Sequence, residues 1–321
     1  WNEDVLKLPT FMELADAGFM VCSLVFRASN PTVEQLFETY QATRDFVPEV
    51  VVAVGGGSIL DVGKSLCCLY GTDLPDADSL RRLIEEKSYG HPAARWIGVP
   101  TTAGTGSEVT CWATIWDPER DAKRSVECRE NYAFAALVDP ELAAGMPVTL
   151  AVSSALDAAA HAAESYWAKG TNAVSRGLAL EAIRTIMGHM DGLLAGTMEA
   201  HEAMARGSML AGLAFSNTKT TACHSISYPL TMHCGIPHGA AVSMLLGPVF
   251  QLNAQALARP EPLLDALGVS SPKELAEKVC GILRRSGQPA TLKEWGTQRE
   301  ELPRLARLGM TKGRADNNPV P

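Results

Sequence analysis

Four side chains that can bind a divalent metal ion lie on two segments of the sequence. Asp157 and His161 are four residues apart in the alanine-rich stretch SSALDAAAHAAES, which favours a helix that carries both on one face. His224 and His238 follow in ACHSISYPLTMHCGIPHGAA, where a Gly-x-Pro break redirects the chain before the second histidine. One carboxylate and three imidazoles suit Fe²⁺ or Zn²⁺, whereas Ca²⁺ or Mg²⁺ requires more oxygen ligands. The pattern predicts a redox-neutral Lewis-acid site.

Structural, hydrogen-bonded histidines are the competing interpretation. The sequence holds seven histidines, and an Asp/His pair at this spacing also arises by chance. A second, independent pattern upstream favours the metal site.

That second pattern is a glycine-rich loop, GGGS at residues 55–58, between the apolar run VVVAV and the helical stretch SILDVGKSL. The missing Cβ atoms let the backbone approach a phosphate, and the first N–H groups of the helix face the anion. The loop does not match G-x-G-x-x-G, and a tight turn with Ser58 as the helix cap is the alternative. A second polar loop, PTTAGTGSEVT at residues 100–110, follows another apolar run. Since ligands of open α/β sheets bind at the carboxyl ends of strands, the two loops predict a bound cofactor.

The elements that must position these residues differ between the two halves of the chain. PEVVVAVGGG, ARWIGVPTT and ENYAFAALVDP are predicted strands that alternate with helical stretches, which is typical of an open parallel α/β sheet. From residue 149 to about 253 the sequence is rich in Ala, Leu, Met, Glu and His, and amphipathic helical patterns follow. We therefore predict an α/β nucleotide-binding domain over residues 1–146 and an all-helical metal and substrate domain over 147–321. The boundary is placed where Gly145 and Pro147 interrupt the pattern.

The composition excludes several classes of partner. A net charge of −8 argues against nucleic acid, and no apolar run approaches the roughly 18 residues of a membrane helix. Eight cysteines without a CxxC pair predict reduced thiols and a cytoplasmic protein. The opening WNEDVLKLPT lacks a signal peptide and an initiator Met, which suggests a sequence trimmed at its start.

Taken together, GGGSILDVGK, PTTAGTGSEVT, LVDPEL, DAAAHAAE and the segment from His224 to PHG resemble the iron-containing (group III) alcohol dehydrogenases. Order and spacing agree over roughly residues 28–250, beginning at the Asn-Pro-Thr turn of residues 30–32. Each motif alone is weak, but their combination is specific. The resemblance implies a nucleotide-binding α/β domain, a helical domain, and NADH or NADPH in the cleft between them. It also makes a homo-oligomer an expectation.

Residue roles follow from the same resemblance. It implies that Fe²⁺ or Zn²⁺ is held by Asp157, His161, His224 and His238. It implies that the nicotinamide cofactor is held by Gly56, Gly57, Ser58, Asp61, Thr101, Thr102, Thr105 and Lys123. The family's first strands, which discriminate NAD from NADP, are absent from the sequence, so this choice stays open. The chain also stops near residues 317–319, where family members continue.

Two local departures concern the reaction and its substrate. Tyr228 stands where many members carry a histidine that relays a proton, so Tyr228 or His233 is the expected relay, with packing of Tyr228 as the alternative. Lys219, Thr220 and Trp112 are the expected substrate contacts. Lys219 predicts an anionic substrate if buried, or simply a solvent-exposed lysine if not.

The TKT segment and HSISYPLT are similar to phosphonoacetaldehyde reductases, which reduce phosphonoacetaldehyde to 2-hydroxyethylphosphonate. The predicted function is thus metal-dependent, NAD(P)H-linked reduction of a small aldehyde. The alternatives are a glycerol or short-diol dehydrogenase, a dehydroquinate synthase-like lyase, and a non-catalytic nucleotide- or metal-binding relative.

Overall fold

The chain divides into two units in the computed structural model, which describes residues 13–14, 16–310 and 313–320. The first unit comprises the described residues up to Thr101 together with Ser107–Val138, and the second comprises Thr102–Gly106 and the chain from Asp139 onward. The change of unit at Asp139 precedes the loop in which the domain boundary is predicted. The opening segment WNEDVLKLPT lies outside the described residues.

A parallel sheet forms the centre of the first unit. In chain order the elements are α1 (Val33–Thr43), β1 (Val50–Gly55), α2 (Gly57–Leu69), α3 (Ala77–Glu86), β2 (Arg95–Pro100), β3 (Trp112–Asp117), β4 (Ala122–Glu127) and β5 (Ala135–Ala136). The sheet has the order β1-β2-β5, with Val54 beside Val99 and Ile97 beside Ala135. Its parallel pairing confirms the predicted open α/β architecture.

Two details of this unit differ from expectation. The third predicted strand is short, although backbone bonds of 2.8 Å from Phe134 N to Trp96 O and from Leu137 N to Gly98 O extend its pairing with β2. Strands β3 and β4 form an antiparallel hairpin that was not predicted. Its turn, DPERD, is charged and carries Asp121 at φ 47°, a conformation that aspartate tolerates better than most residues.

A buried lysine anchors the start of β3. The Lys64 side chain is fully buried on α2, and its Nζ donates to Ser107 O at 2.8 Å, Thr110 Oγ1 at 2.9 Å and Trp112 O at 2.8 Å. A buried ammonium is stable only when its donors are satisfied. Lys64 therefore fixes the chain that returns from residues 102–106, and with it the position of Trp112.

The second unit is entirely helical in its described part, as predicted. Its helices are α4 (Pro140–Ala144), α5 (Val148–Trp167), α6 (Ala173–Gly188), α7 (Met190–Leu194), α8 (Met198–Thr218), α9 (Ala222–Cys234), α10 (His238–Asn253), α11 (Glu261–Leu267), α12 (Pro272–Arg285) and α13 (Leu302–Gly309). Helix α5 is central and packs against α6, α8 and α10. Its alanines, including Ala155, Ala158, Ala159 and Ala162, are fully buried. Small side chains on several faces let three helices approach it closely.

Two further expectations from the sequence concern membrane-spanning helices and the state of the cysteines. Among the described helices, none has the length and apolar character needed to span a membrane. All eight cysteines are free; Cys67 and Cys68 are buried in α2, and burial raises the pKa of the Cys67 thiol to about 12. These buried thiols are therefore not expected to be reactive.

Candidate metal centre and cofactor loops

One buried face of α5 carries three ionisable side chains. Asp157, His161 and Glu164 follow the spacing i, i+4, i+7, which places them on the same side of the helix. They are 4%, 6% and 0% exposed, respectively. Burying two carboxylates in an alanine-rich core is costly unless charged or hydrogen-bonded partners face them. Those partners come from α9 and α10.

Three of the four predicted metal ligands converge. One ligand atom each from Asp157, His224 and His238 lies within 4.8 Å of the other two. His224 Nε2 is 3.3 Å and His238 Nε2 is 3.8 Å from Asp157 Oδ1. His161 adjoins this set: its Nδ1 is 3.9 Å from Asp157 Oδ2, and its ring stacks on that of His224 with the centroids 4.1 Å apart.

The chemistry of the cluster fits a divalent cation. Asp157 Oδ1, His161 Nδ1 and His224 Nε2 are buried and find no hydrogen-bond partner within the described part of the chain. Asp157 Oδ1 and His224 Nε2 face each other at 3.3 Å, but they are not aligned as donor and acceptor. Buried polar atoms are rarely left unpaired, so the convergence of these three atoms is what a site for a divalent cation requires. Carboxylate oxygen and imidazole nitrogen are the donors that Fe²⁺ and Zn²⁺ accept.

The pKa values of the cluster also fit a site for a divalent cation. Burial would raise the pKa of Asp157, but the surrounding imidazoles, His161 first, hold it below its ordinary value. Burial and the neighbouring His224 lower the pKa of His161 to about 4, so this ring is neutral at pH 7. Burial alone would lower the pKa of His224, yet Glu164 and Asp157 raise it to about 9. A metal ion that binds to His224 must therefore displace a proton.

Glu164 was not among the predicted site residues. Its Oε2 contacts His224 Nδ1, and its Oε1 accepts from Thr221 Oγ1 at 2.8 Å and from Cys223 N at 2.6 Å. The signal was present in DAAAHAAE, where Glu164 stands seven residues after Asp157 and shares its helical face. An acidic residue in a helix is usually solvated, which is why the sequence alone did not reveal it.

A glycine brings His238 to the cluster. His238 is the first residue of α10, and an added Cβ on Gly239 would lie 2.3 Å from Ser153 O, one turn before Asp157 on α5. The missing side chain thus lets the start of α10 rest on the backbone of α5. The same contact places His238 near Asp157.

The Thr102–Gly106 loop also packs on the helical unit. A Cβ on Gly104 would lie 2.9 Å from Ser154 O, and the Gly104 backbone hydrogen-bonds to the ring of His161. Gly106 adopts φ +57° and passes so close to α8 that its Cβ would lie 2.5 Å from Gly212 Cα. Thr102 and Thr105 are half-buried on this loop. The loop predicted to line the nicotinamide therefore supports a predicted metal ligand.

The glycine loop of the first unit has the form expected of a phosphate site. Gly56 is the N-cap of α2, so the helix begins at Gly57 and Ser58 lies within its first turn rather than capping it. Ser58 Oγ accepts a bond of 3.1 Å from Asn30 N, which ties the NPT turn to this loop. The leading N–H groups of a helix have no acceptor within it, and no Cβ at residues 56 or 57 shields them.

The other predicted cofactor residues of this unit differ in environment. Thr101 is buried, and no described residue hydrogen-bonds its Oγ1. Asp61 accepts from Ser107 Oγ at 2.6 Å and from Thr114 N at 2.8 Å, so its carboxylate already braces the sheet. Lys123 Nζ lies 5.5 Å from the centroid of the Trp116 ring. Their contacts with a cofactor stay predictions.

The predicted relay and substrate residues of the second unit separate into two groups. Tyr228 and Thr220 are buried, and Tyr228 lies one turn after His224 on α9. His233 is exposed and nine residues after His224, which places it on the opposite side of α9. Lys219 is also exposed, at the C-terminal end of α8, so the prediction of an anionic substrate from a buried lysine does not hold.

Comparison with known proteins agrees with the resemblance seen in the sequence. The family model described as iron-containing alcohol dehydrogenase matches residues 8–140, and that of the Fe-containing alcohol dehydrogenase family, C-terminal, matches residues 151–321. The chain is 30% identical to NADPH-dependent butanol dehydrogenase of Clostridium saccharobutylicum over 90% of its own length and 76% of the relative. It is 35% identical to phosphonoacetaldehyde reductase of Streptomyces viridochromogenes over 64% of its own length and 53% of that enzyme.

A solved structure extends the comparison to the fold. Sulfoacetaldehyde reductase from Bifidobacterium kashiwanohense in complex with NAD⁺ superposes with a TM-score of 0.86 and 30% identity. The match covers 99% of this chain and 85% of that one. These findings confirm the predicted class, an oxidoreductase that acts on alcohols and aldehydes, and support the predicted nicotinamide cofactor and metal.

Replacing Gly239 with Ala tests how His238 is positioned. The new Cβ would collide with the Ser153 backbone, so α10 must shift away from α5. We expect a loss of bound metal, measured by elemental analysis after anaerobic loading with Fe²⁺ or Zn²⁺. We also expect a loss of about 1–3 kcal/mol in the free energy of unfolding.

Gly281→Ala is the matched control, because a Cβ at this position in α12 would meet nothing within 4 Å. It should keep its metal and gain up to about 1 kcal/mol from better helix propensity. Full metal content and wild-type stability in Gly239→Ala would contradict the close-approach explanation.

Proposed function

We propose that this chain, which belongs to the iron-containing alcohol dehydrogenase family, reduces a short aldehyde that carries a phosphonate or similar oxyanion. The leading substrate is phosphonoacetaldehyde, with 2-hydroxyethylphosphonate as the product. The observation that carries the reaction is the convergence of ligand atoms from Asp157, His224 and His238, where the buried Asp157 Oδ1 and His224 Nε2 have no hydrogen-bond partner among the described residues. Relatives named for phosphonoacetaldehyde and sulfoacetaldehyde support the substrate class.

The metal ligands we propose are Asp157, His161, His224 and His238. When bound, a divalent ion supplies a Lewis acid that polarises a carbonyl group. Asp157 contributes a negative charge, and the neutral His161 ring offers a lone pair at pH 7. Asp157, His161 and His224 are buried, and the lower local polarity strengthens the electrostatic interactions they make, whereas His238 is partly exposed. Whether the ion is Fe²⁺ or Zn²⁺ is decided by loading each metal separately.

We propose that NADH or NADPH binds at the glycine loop of the first unit. A bound nicotinamide cofactor supplies the hydride. Gly56 and Gly57 leave the N-terminus of α2 open to a pyrophosphate. The buried Thr101 hydroxyl, which has no hydrogen-bond partner among the residues that the structure describes, is available to hydrogen-bond a cofactor. Thr102, Thr105, Asp61 and Lys123 remain in the proposed cofactor set.

Tyr228 is the proposed proton donor to the product alcohol. It lies one helical turn from His224 and is buried, whereas His233 lies on the opposite side of α9 and is exposed. A phenol hydroxyl can deliver a proton over hydrogen-bond distance.

Lys219 is the proposed contact for the anionic end of the substrate. It adopts φ 62° and ψ 175°, a conformation that is unfavourable for any residue but glycine. The loop is held in place because the Asn317 side-chain amide donates to Thr218 O at 2.9 Å and Thr220 O at 3.0 Å. Strained backbone persists where the surroundings fix it, often at binding sites. Its exposed ammonium can form a charge-assisted hydrogen bond with an oxygen of a phosphonate. Thr220 and Trp112 complete the proposed substrate contacts.

The cellular setting is proposed on the sequence alone. The eight unpatterned cysteines favour the cytoplasm, the net charge of −8 disfavours nucleic acid, and the family suggests a homo-oligomer.

Removing a metal ligand should abolish the reaction. His224→Ala and His238→Ala should each lose bound metal and NAD(P)H oxidation, followed at 340 nm with phosphonoacetaldehyde after anaerobic loading with Fe²⁺ or Zn²⁺. His91→Ala, which removes an exposed histidine of the first unit, should retain both. Wild-type turnover by metal-free His238→Ala protein would exclude this mechanism.

Removing the phenol tests the proton donor. Tyr228→Phe should lower kcat about 100-fold with little change in KM, as expected for loss of a general acid. The reciprocal variant His233→Ala should keep its rate. If His233→Ala loses the rate and Tyr228→Phe does not, the relay belongs to His233.

The substrate class is tested by Lys219→Ala. We expect KM for phosphonoacetaldehyde to rise about tenfold, equivalent to about 1.4 kcal/mol, and KM for a neutral aldehyde of similar size to stay unchanged. Lys273→Ala, which removes another exposed lysine of the same unit, should alter neither value.

Other outcomes of this comparison identify the rival functions. Equal rates with both aldehydes in the wild type would indicate a glycerol or short-diol dehydrogenase. No oxidation of NAD(P)H despite bound metal would indicate a lyase or a non-catalytic relative.

A further inference from the structure

We infer that Glu164 is a positioning residue that selects which nitrogen of His224 is available to the metal. The inference rests on the proposed metal function and assigns a role to a residue that does not itself reach the metal cluster. Glu164 lies on the same face of α5 as Asp157, and the ring of His224 lies between the two carboxylates. One carboxylate faces each ring nitrogen.

The contact at Nδ1 of His224 is a hydrogen bond to a fully buried carboxylate. Glu164 Oε2 contacts His224 Nδ1, and the side chain of Glu164 is 0% exposed. A carboxylate accepts hydrogen bonds but cannot donate them. Nδ1 must therefore keep its proton, so the proton that a metal ion displaces is the one on Nε2, and this nitrogen then offers its lone pair. That nitrogen is 3.3 Å from Asp157 Oδ1, within the proposed metal set.

The other oxygen of Glu164 is held so that the carboxylate cannot rotate away. Oε1 accepts from Thr221 Oγ1 at 2.8 Å and from Cys223 N at 2.6 Å. Thr221 Oγ1 in turn accepts from Trp167 Nε1 at 2.8 Å, so its own proton is directed to Glu164. Thr221 Oγ1 and Cys223 N are both donors to Oε1. Both oxygens of Glu164 are thus required as acceptors.

Charge balance gives a second reason for this arrangement. A divalent ion among Asp157 and neutral imidazoles would leave one uncompensated positive charge in a buried site. Glu164 adds a second negative charge directly behind His224. Two carboxylates and one divalent ion are electrically neutral, which lowers the cost of burying the ion.

Glu164→Gln separates this role from simple packing, because the side chain keeps its shape and loses one acceptor. If the amide oxygen stays toward Thr221 and Cys223, the NH₂ group faces Nδ1. Nδ1 must then accept, and the proton of His224 moves to Nε2, where it blocks metal binding. If the amide is reversed, its NH₂ group meets the Cys223 N–H, donor against donor.

We expect Glu164→Gln to weaken Co²⁺ binding about 10- to 100-fold relative to wild type, measured by competition with a chromophoric chelator. The visible absorption band of bound Co²⁺ should also change. Glu181→Gln, an equivalent change on a largely exposed side chain of α6, should leave both readouts at wild-type values. Equal Co²⁺ affinity and an unchanged spectrum in Glu164→Gln would overturn the inference.

A measurement on the wild type keeps the test independent of the variant's folding. In the Zn²⁺-loaded protein with ¹⁵N-labelled histidine, His224 should show a protonated, hydrogen-bonded Nδ1 and a metal-bound Nε2. A metal-bound Nδ1 would overturn the inference.

The same experiments distinguish failure of this inference from failure of the proposed function. If wild-type protein binds none of Co²⁺, Fe²⁺ and Zn²⁺, both the metal function and the role of Glu164 fall. If Glu164→Gln loses Co²⁺ as expected but phosphonoacetaldehyde is not reduced, the role of Glu164 stands and only the substrate proposal fails.

Discussion

The ring of His224 between two carboxylates of one helix is the contact around which the second unit is arranged. Asp157 faces one nitrogen and Glu164 the other, and both acids belong to α5. Neither acid could be buried alone, because an unpaired buried carboxylate costs several kcal/mol. The imidazole contacts both, so α9, which carries His224, must lie against this face of α5. A cation at the cluster would complete the balance of charge.

Small residues make that arrangement sterically possible. Buried alanines on several faces of α5 let α6, α8 and α10 approach it, and Gly239 lets the start of α10 rest on the Ser153 backbone. Gly104 likewise lets the Thr102–Gly106 loop rest on the Ser154 backbone, and this loop hydrogen-bonds His161. In close-packed interiors a single added methyl group forces backbone to move. The positions of the metal ligands thus depend on residues that have no chemistry of their own.

In the first unit, buried polar contacts hold the loops around the proposed cofactor site. Lys64 is buried and donates to backbone and hydroxyl groups of the turn that begins at Ser107, and Asp61, on the same helix, accepts from Ser107 Oγ. At the start of α2, Gly56 and Gly57 place no Cβ over the first N–H groups of the helix. Buried polar contacts hold the surrounding loops, while the proposed phosphate site consists of backbone alone. This division suits a site that must bind a large ligand without rearrangement.

The sequence by itself determined the fold class, the open parallel sheet followed by helices, and the spacing that places Asp157 and His161 on one helical face. These features are local: hydrophobic runs, glycine loops and four-residue spacing are decided by neighbours along the chain. It left open whether Lys219 is buried or exposed, and it did not foresee the β3–β4 hairpin, the exposure of His233, or Glu164. Tertiary structure decided those, because each depends on what packs against the residue from a distant part of the chain. Glu164 could be read as a solvated helix acid until α9 brought His224, Thr221 and Cys223 against it.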